Sequence, residues 1–133
     1  MKKIRVLIAE DHTIVRQGLS ALLRAEPDIE VIGEAQDGLE AVELAKKLTP
    51  DVVLMDIAMK VLNGLDATRK IKKLFPKIKV LALTMYDNEE WIFQILKAGA
   101  SGYLIKDSAM TDLVSAIRAI LQGDSYLSPS ISR

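Results

Sequence analysis

The chain has 133 residues, half of them hydrophobic, which suits one compact domain with a single core. Eighteen basic residues balance eighteen acidic ones, so the positive footprint of a nucleic-acid binder is absent and any DNA contact has to come from elsewhere. With no cysteine and His12 as the one histidine, disulfides, thiolate catalysis and zinc centres built from His and Cys are excluded, and a cytoplasmic protein is expected.

Met1-Lys2-Lys3 has the basic start of a signal peptide, but the apolar run Ile4 to Ala9 is too short, contains Arg5 and meets Glu10-Asp11. It reads instead as a first strand. No stretch reaches membrane-spanning length, so no membrane contact is expected. After the polar cluster Glu10 to Thr13, the residues Val15, Leu19, Leu22 and Leu23 recur at helical spacing, and Pro27-Asp28 ends that helix. Ile29 to Ala35 alternates as a second strand, and Asp37-Gly38 leads into a helix with Ala41, Leu44, Ala45 and Leu48 on one face. Thr49-Pro50 ends it.

Val52-Val53-Leu54-Met55-Asp56 is the stretch on which the rest depends. Its four apolar residues predict a short strand buried on both faces, and its terminal carboxylate belongs where the strand leaves the sheet. A loop through Lys60 and Asn63-Gly64 follows, then a helix with Ala67, Ile71 and Leu74 facing inward, stopped by Pro76. Val80 to Thr84 predicts a fourth strand, again ending on a polar group, and Met85 to Asn88 the loop to a fourth helix with Gly99 at its C-terminal cap. Ser101 to Ile105 predicts a fifth strand ending at Lys106-Asp107. In the last helix Met110, Leu113, Val114, Ile117, Ile120 and Leu121 form an apolar stripe, with Ser108 as N-cap and Gly123 just past the end.

Five strands alternating with five helices require helical crossovers and therefore parallel pairing. The expected fold is α/β, a doubly wound (βα)5 three-layer sandwich with a flavodoxin-like strand order 2-1-3-4-5. That order sets the first and third strands side by side, so Glu10, Asp11 and Asp56 share one crevice at the carboxyl end of the sheet. Three carboxylates so close repel one another unless one takes a proton or a cation intervenes, and an all-oxygen set selects a hard ion, Mg²⁺ first. The plainer alternative makes Glu10-Asp11 a solvated turn that caps a helix. That alternative has no use for a third acid at the neighbouring strand end.

With charge balanced, a carboxylate at Asp56 is able to attack a phosphoryl group and form an aspartyl phosphate. Lys106 and the Thr84 hydroxyl, each at a neighbouring strand end, then supply donors to the phosphoryl oxygens. A flavin or dinucleotide carrier on this fold needs a glycine- or hydroxyl-rich loop where Glu10-Asp11 stands. An aspartate-nucleophile phosphatase needs a second acid two residues past Asp56, where the chain has Ala58.

Taken together, Glu10-Asp11, the strand ending in Asp56, Asn63-Gly64, Thr84 and Gly102-Tyr103-Leu104-Ile105-Lys106-Asp107 resemble the receiver domain of two-component response regulators, from about Lys3 to Gly123. The phrases Asp11-His12-Thr13-Ile14-Val15-Arg16-Gln17-Gly18-Leu19 and Lys97-Ala98-Gly99-Ala100-Ser101-Gly102-Tyr103 further resemble the NarL/FixJ-like subfamily, which continues into a LuxR-type helix-turn-helix. The resemblance implies a self-phosphorylating phosphoacceptor rather than a turnover enzyme, with Asp56 accepting the phosphoryl group from a sensor histidine kinase. It also implies that Glu10, Asp11, Asp56 and the Ala58 carbonyl hold Mg²⁺, that Thr84 and Lys106 hold the phosphoryl group, and that Tyr103 is the switch aromatic.

One position departs from the family pattern: Lys60 stands where a proline usually follows the loop methionine. Its greater backbone freedom and added cation predict weaker or altered Mg²⁺ binding, and leave a phosphate-independent pseudo-receiver as the competing expectation.

For readout, Trp91, Ile92, Phe93, Ile95 and Leu96 spread over more of the fourth helix than a half-buried helix needs. Either Trp91 or Phe93 folds back on the sheet edge, or both form an exposed patch beside Tyr103. The first and fifth helices, with Ile14 outside the main stripe, are the other candidate face for a partner, including a second copy in a homodimer. Residues 1–123 are expected to form the receiver domain and residues 124–133 the start of a linker, with DNA bound only through a C-terminal domain absent from this chain.

Overall fold

The computed structural model describes residues 3–59, 61–86 and 88–123. Lys60 and the predicted linker 124–133 therefore lie outside the described residues. The elements run β1 (Ile4–Ala9), α1 (Thr13–Arg24), β2 (Ile29–Ala35), α2 (Gly38–Leu48), β3 (Val52–Asp56), α3 (Gly64–Leu74), β4 (Lys79–Thr84), α4 (Glu89–Lys97), β5 (Gly102–Ile105), a 3₁₀ turn Lys106–Ser108, and α5 (Ala109–Leu121).

All strands pair in parallel, in the order β2-β1-β3-β4-β5. Alternation along the strands divides the interior into two apolar layers rather than the single core expected. Leu7, Ala9, Val53, Met55, Val80 and Ala82 face one layer, and Val6, Ile8, Val52, Leu54, Leu81 and Leu83 face the other. Because β3 is central it is buried at every position, which is why its sequence carries no alternation.

Strand register positions the polar ends. Ala9 pairs with Met55, so the next residues, Glu10 and Asp56, emerge side by side. Asp56 pairs with Leu83 and Thr84 with Ile105, which places Thr84 and Lys106 at the same rim.

Helix ends follow local chemistry. Asp37, Asn63 and Asn88 each accept a bond from the backbone N–H three residues on, the usual N-cap geometry. Gly99 takes φ +110° just after α4, and its N–H donates to the Leu96 carbonyl.

Three local details depart from expectation. Ser108 takes the N-cap position of α5 as expected, but it closes the 3₁₀ turn and its side chain makes no capping bond: its hydroxyl donates to the Ile105 carbonyl at 3.2 Å. Leu74 and Met110 are exposed rather than inward, because each lies at the end of a helix where the apolar stripe has run past the sheet it covers. Thr68, which the spacing left out of the α3 stripe, is buried instead.

Candidate functional site

At the carboxyl end of the sheet Glu10 and Asp56 are buried, and Asp11 is nearly so. One ligand atom from each of Glu10, Asp11, His12 and Asp56 lies within 4.8 Å of the others. The Lys106 ammonium stands 3.0 Å from Glu10 Oε1 and 3.2 Å from Asp56 Oδ2. His12 donates its backbone N–H to Glu10 Oε2 at 3.1 Å, and Arg16 donates to the Glu10 carbonyl at 2.8 Å. The Ala58 N–H donates to Asp56 Oδ1 at 3.2 Å, so the loop after β3 holds this carboxylate in place.

This arrangement puts electrostatic stress on the two buried acids. Burial, and then the hydrogen bond and negative charge of Glu10, push Asp56 up to about 6 despite the opposing pull of Lys106. Burial also opposes ionisation of Glu10, but its close contacts with Asp56, the His12 N–H and the Lys106 ammonium outweigh that and bring it down to about 2. The two carboxyls therefore titrate as a pair that tends to hold one proton between them. On Lys106, burial is likewise overcome by its two acidic partners, and its pKa is raised.

The donor set suits a hard divalent cation. Glu10 Oε1, Asp11 Oδ1 and Asp56 Oδ2 are buried without a well-directed hydrogen bond. Lys106 and His12 approach these oxygens at ion-pair distance but off the bonding direction. Carboxylate oxygens so placed match Mg²⁺ far better than a soft metal.

Beside Asp56 lies a cavity of about 60 Å³ lined by Asp56, Ile57, Ala58, Thr84, Met85, Tyr86 and Trp91. That is roughly the volume of two waters, enough for a small tetrahedral group. A larger hollow, about 710 Å³, lies away from the acids, between the α2–β3 and α3–β4 connections, and is lined by Leu74, Phe75, Pro76 and Leu121 among others.

Each of Glu10, Asp11, Asp56, Ala58, Thr84 and Lys106 thus lies at this rim. Tyr103, one strand further out, is fully buried in the same apolar layer as Ile92 and Ile95 of α4. Of the two aromatic candidates on α4, Trp91 is the one that folds back, donating its indole N–H to Thr84 Oγ1 at 2.8 Å, while Phe93 is 62% exposed. Neither this bond nor the place of His12 beside both acids is legible in residue spacing. Its position between the acidic turn and α1 is the one available signal for His12.

Comparison with known proteins agrees with this geometry. The profile of the response regulator receiver domain matches residues 6–118. The transcriptional regulatory protein LiaR of Bacillus subtilis is 43% identical over 129 residues, which are 97% of this chain and 61% of LiaR. The transcriptional regulatory protein DegU of Brevibacillus brevis is 42% identical over 130 residues, 98% of this chain and 55% of DegU. The chain thus spans a little over half the length of these curated relatives.

Among solved structures, a LuxR-family two-component response regulator from Aurantimonas sp. SI85-9A1 superposes with a TM-score of 0.93 at 37% identity, covering 98% of this chain and 94% of that one. The isolated receiver domain of RcsB from Salmonella enterica serovar Typhimurium, solved with the phosphomimetic BeF₃⁻, gives 0.89 at 30% identity, covering 99% and 98%. A sheet that gathers acids, hydroxyl and ammonium at one rim and a profile spanning most of the chain lead to one assignment: this chain belongs to the receiver domain family of two-component response regulators, among relatives of the NarL/LuxR type.

Proposed function

We propose that Asp56 is the phosphoacceptor of this receiver and that Glu10, Asp11, Asp56 and the Ala58 carbonyl hold Mg²⁺. The observation that carries this reading is a buried carboxylate with its pKa pushed up to about 6, between two other acids and Lys106, beside a cavity of phosphoryl size. When bound, Mg²⁺ neutralises the acids and the charge on the transferring group. Ionised Asp56 attacks phosphorus through a carboxylate oxygen. The new P–O bond forms as the bond to the donor's leaving group breaks, and that group leaves with the bonding pair and takes a proton from water. Lys106, already paired to Asp56, follows one phosphoryl oxygen as a mobile charge, and the Thr84 hydroxyl donates to another. The donor is a sensor histidine kinase, by the family's two-component chemistry.

The covalent change is transmitted through Thr84 to the face formed by Tyr103 and α4, where Phe93 and Leu96 stand partly or largely exposed. The output is transcription, through a C-terminal DNA-binding domain reached by residues 124–133 from a receiver spanning 1–123. The relatives' greater length supports this reading. A homodimer and a cytoplasmic location complete it. Among the described residues no helix is long and apolar enough to cross a membrane.

Incubation with Mg²⁺ and acetyl phosphate, followed by intact mass, tests the chemistry. A phosphoryl adduct on the wild type that is absent from Asp56→Asn is the expected result. An adduct that survives in the variant would place the acceptor elsewhere, and none on either protein would indicate a pseudo-receiver.

A further inference from the structure

Trp91 is the chain's one tryptophan, and it does not use its indole merely to fill space. Its Nε1–H donates to Thr84 Oγ1 at 2.8 Å, and the Tyr86 backbone N–H donates to the same oxygen at 3.1 Å. A threonine hydroxyl accepts two bonds and donates one. Both acceptor sites are therefore filled, and the O–H proton is the one valence left. Its acceptor within the loop, the Tyr86 carbonyl, is 3.4 Å away, at the outer limit of a hydrogen bond. Thr84 and Trp91 both line the cavity of about 60 Å³ that Asp56 also lines.

Trp91 is itself firmly placed. Its backbone N–H is capped by Asn88 Oδ1 at 2.8 Å, its ring packs against the apolar layer under α4, and Tyr86 meets it edge-on with centroids 6.3 Å apart.

We propose that Trp91 is a positioning residue for phosphoryl transfer: by occupying an acceptor site of the Thr84 hydroxyl, its indole N–H commits the Thr84 proton to a phosphoryl oxygen on Asp56. This rests on the assignment of Asp56 as phosphoacceptor. Without the indole donor the hydroxyl can rotate, accept from water or turn its proton to the Tyr86 carbonyl, and the oxygen it should meet loses a directed donor.

Two measurements on the 133-residue chain test this. The first follows the rate of adduct formation with Mg²⁺ and acetyl phosphate in wild type, Trp91→Phe, Thr84→Ala and the double variant. Phenylalanine keeps an aromatic ring and removes the donor. Trp91→Phe should slow the reaction about fivefold, the usual worth of one hydrogen bond, yet add nothing in the Thr84→Ala background. A rate for Trp91→Phe equal to or above wild type, or the same slowing with Thr84 already gone, would overturn the proposal while leaving Asp56 as acceptor. A wild type that takes no phosphoryl group would remove both. The second measurement needs no change at Trp91: its indole N–H gives one side-chain ¹H–¹⁵N signal. That signal should stay downfield in Thr84→Ser, which keeps a hydroxyl, and move upfield in Thr84→Val. An indole signal indifferent to loss of the hydroxyl would also overturn the proposal.

Discussion

Asp56 and Glu10 differ in environment far more than in chemistry. Both are buried, but Glu10 collects the His12 N–H and Lys106 along with Asp56, whereas Asp56 feels the negative charge of Glu10 against a single cation. Folding therefore raises the affinity of Asp56 for its proton from the usual 3.8 to about 6. The stability it contributes is complete below pH 4 and is lost as pH rises through about 6. Glu10 works in the opposite sense, and its contribution is lost only as pH falls from 4.5 toward 2. Between pH 4.5 and 7, then, Asp56 alone of the pair titrates. Without Mg²⁺, Asp56→Asn should match wild type near pH 4.5 and exceed it at pH 7 by about 1–2 kcal/mol, since the amide removes a buried charge. Thermal melts of both proteins across that range check this, and a wild type as stable at pH 7 as at 4.5 would contradict it.

At the scale of elements, the turn from β3 into α3 couples the strand that ends in Asp56 to its supporting helix. The Gly64 N–H donates to the Ile57 carbonyl at 2.9 Å, and a Cβ at Gly64 would run into the Asp56 carbonyl oxygen and the Ile57 Cα, both backbone atoms that cannot step aside. Intrinsic helix propensity favours alanine over glycine by about 1 kcal/mol. Here the sign reverses: Gly64→Ala should destabilise by about 2 kcal/mol or more, measured by urea unfolding, and should slow modification of Asp56 as the loop shifts. A stabilised or neutral variant would mean that β3 and α3 are not so closely apposed. Legibility differs between elements for physical reasons. Central β3 is read from a run of buried apolar residues, and Asp37, Asn63 and Asn88 announce their helices because a short polar side chain satisfies orphan N–H groups locally. Leu74 and Met110 were misplaced because helical periodicity does not say where the sheet beneath a helix stops, and Ser108 reaches the N-cap position without its capping bond because a 3₁₀ turn precedes α5.

Across the chain as a whole, charges balance to zero and an acidic rim closes the carboxyl end of the sheet, which gives a DNA phosphate backbone no basic patch to meet. The 133-residue chain should show no salt-dependent retention of duplex DNA at physiological ionic strength, which a filter or mobility assay reads directly. Micromolar binding with a steep salt slope would place a DNA contact within the receiver itself.

The alternation of strand and helix, and the polar residue closing the first, third and fourth strands, were fixed by the linear order of side chains, because burial, period and capping act within a few residues. From these the parallel sheet, its order and the convergence of Glu10, Asp11, Asp56, Thr84 and Lys106 could all be reached. Which aromatic of α4 turns inward, how the Thr84 hydroxyl is bonded, and which of two buried acids keeps the proton were decided only when distant strands came into register. Those outcomes depend on ångström-scale distances between groups from separate elements, and hydrogen bonding and desolvation change steeply over such distances.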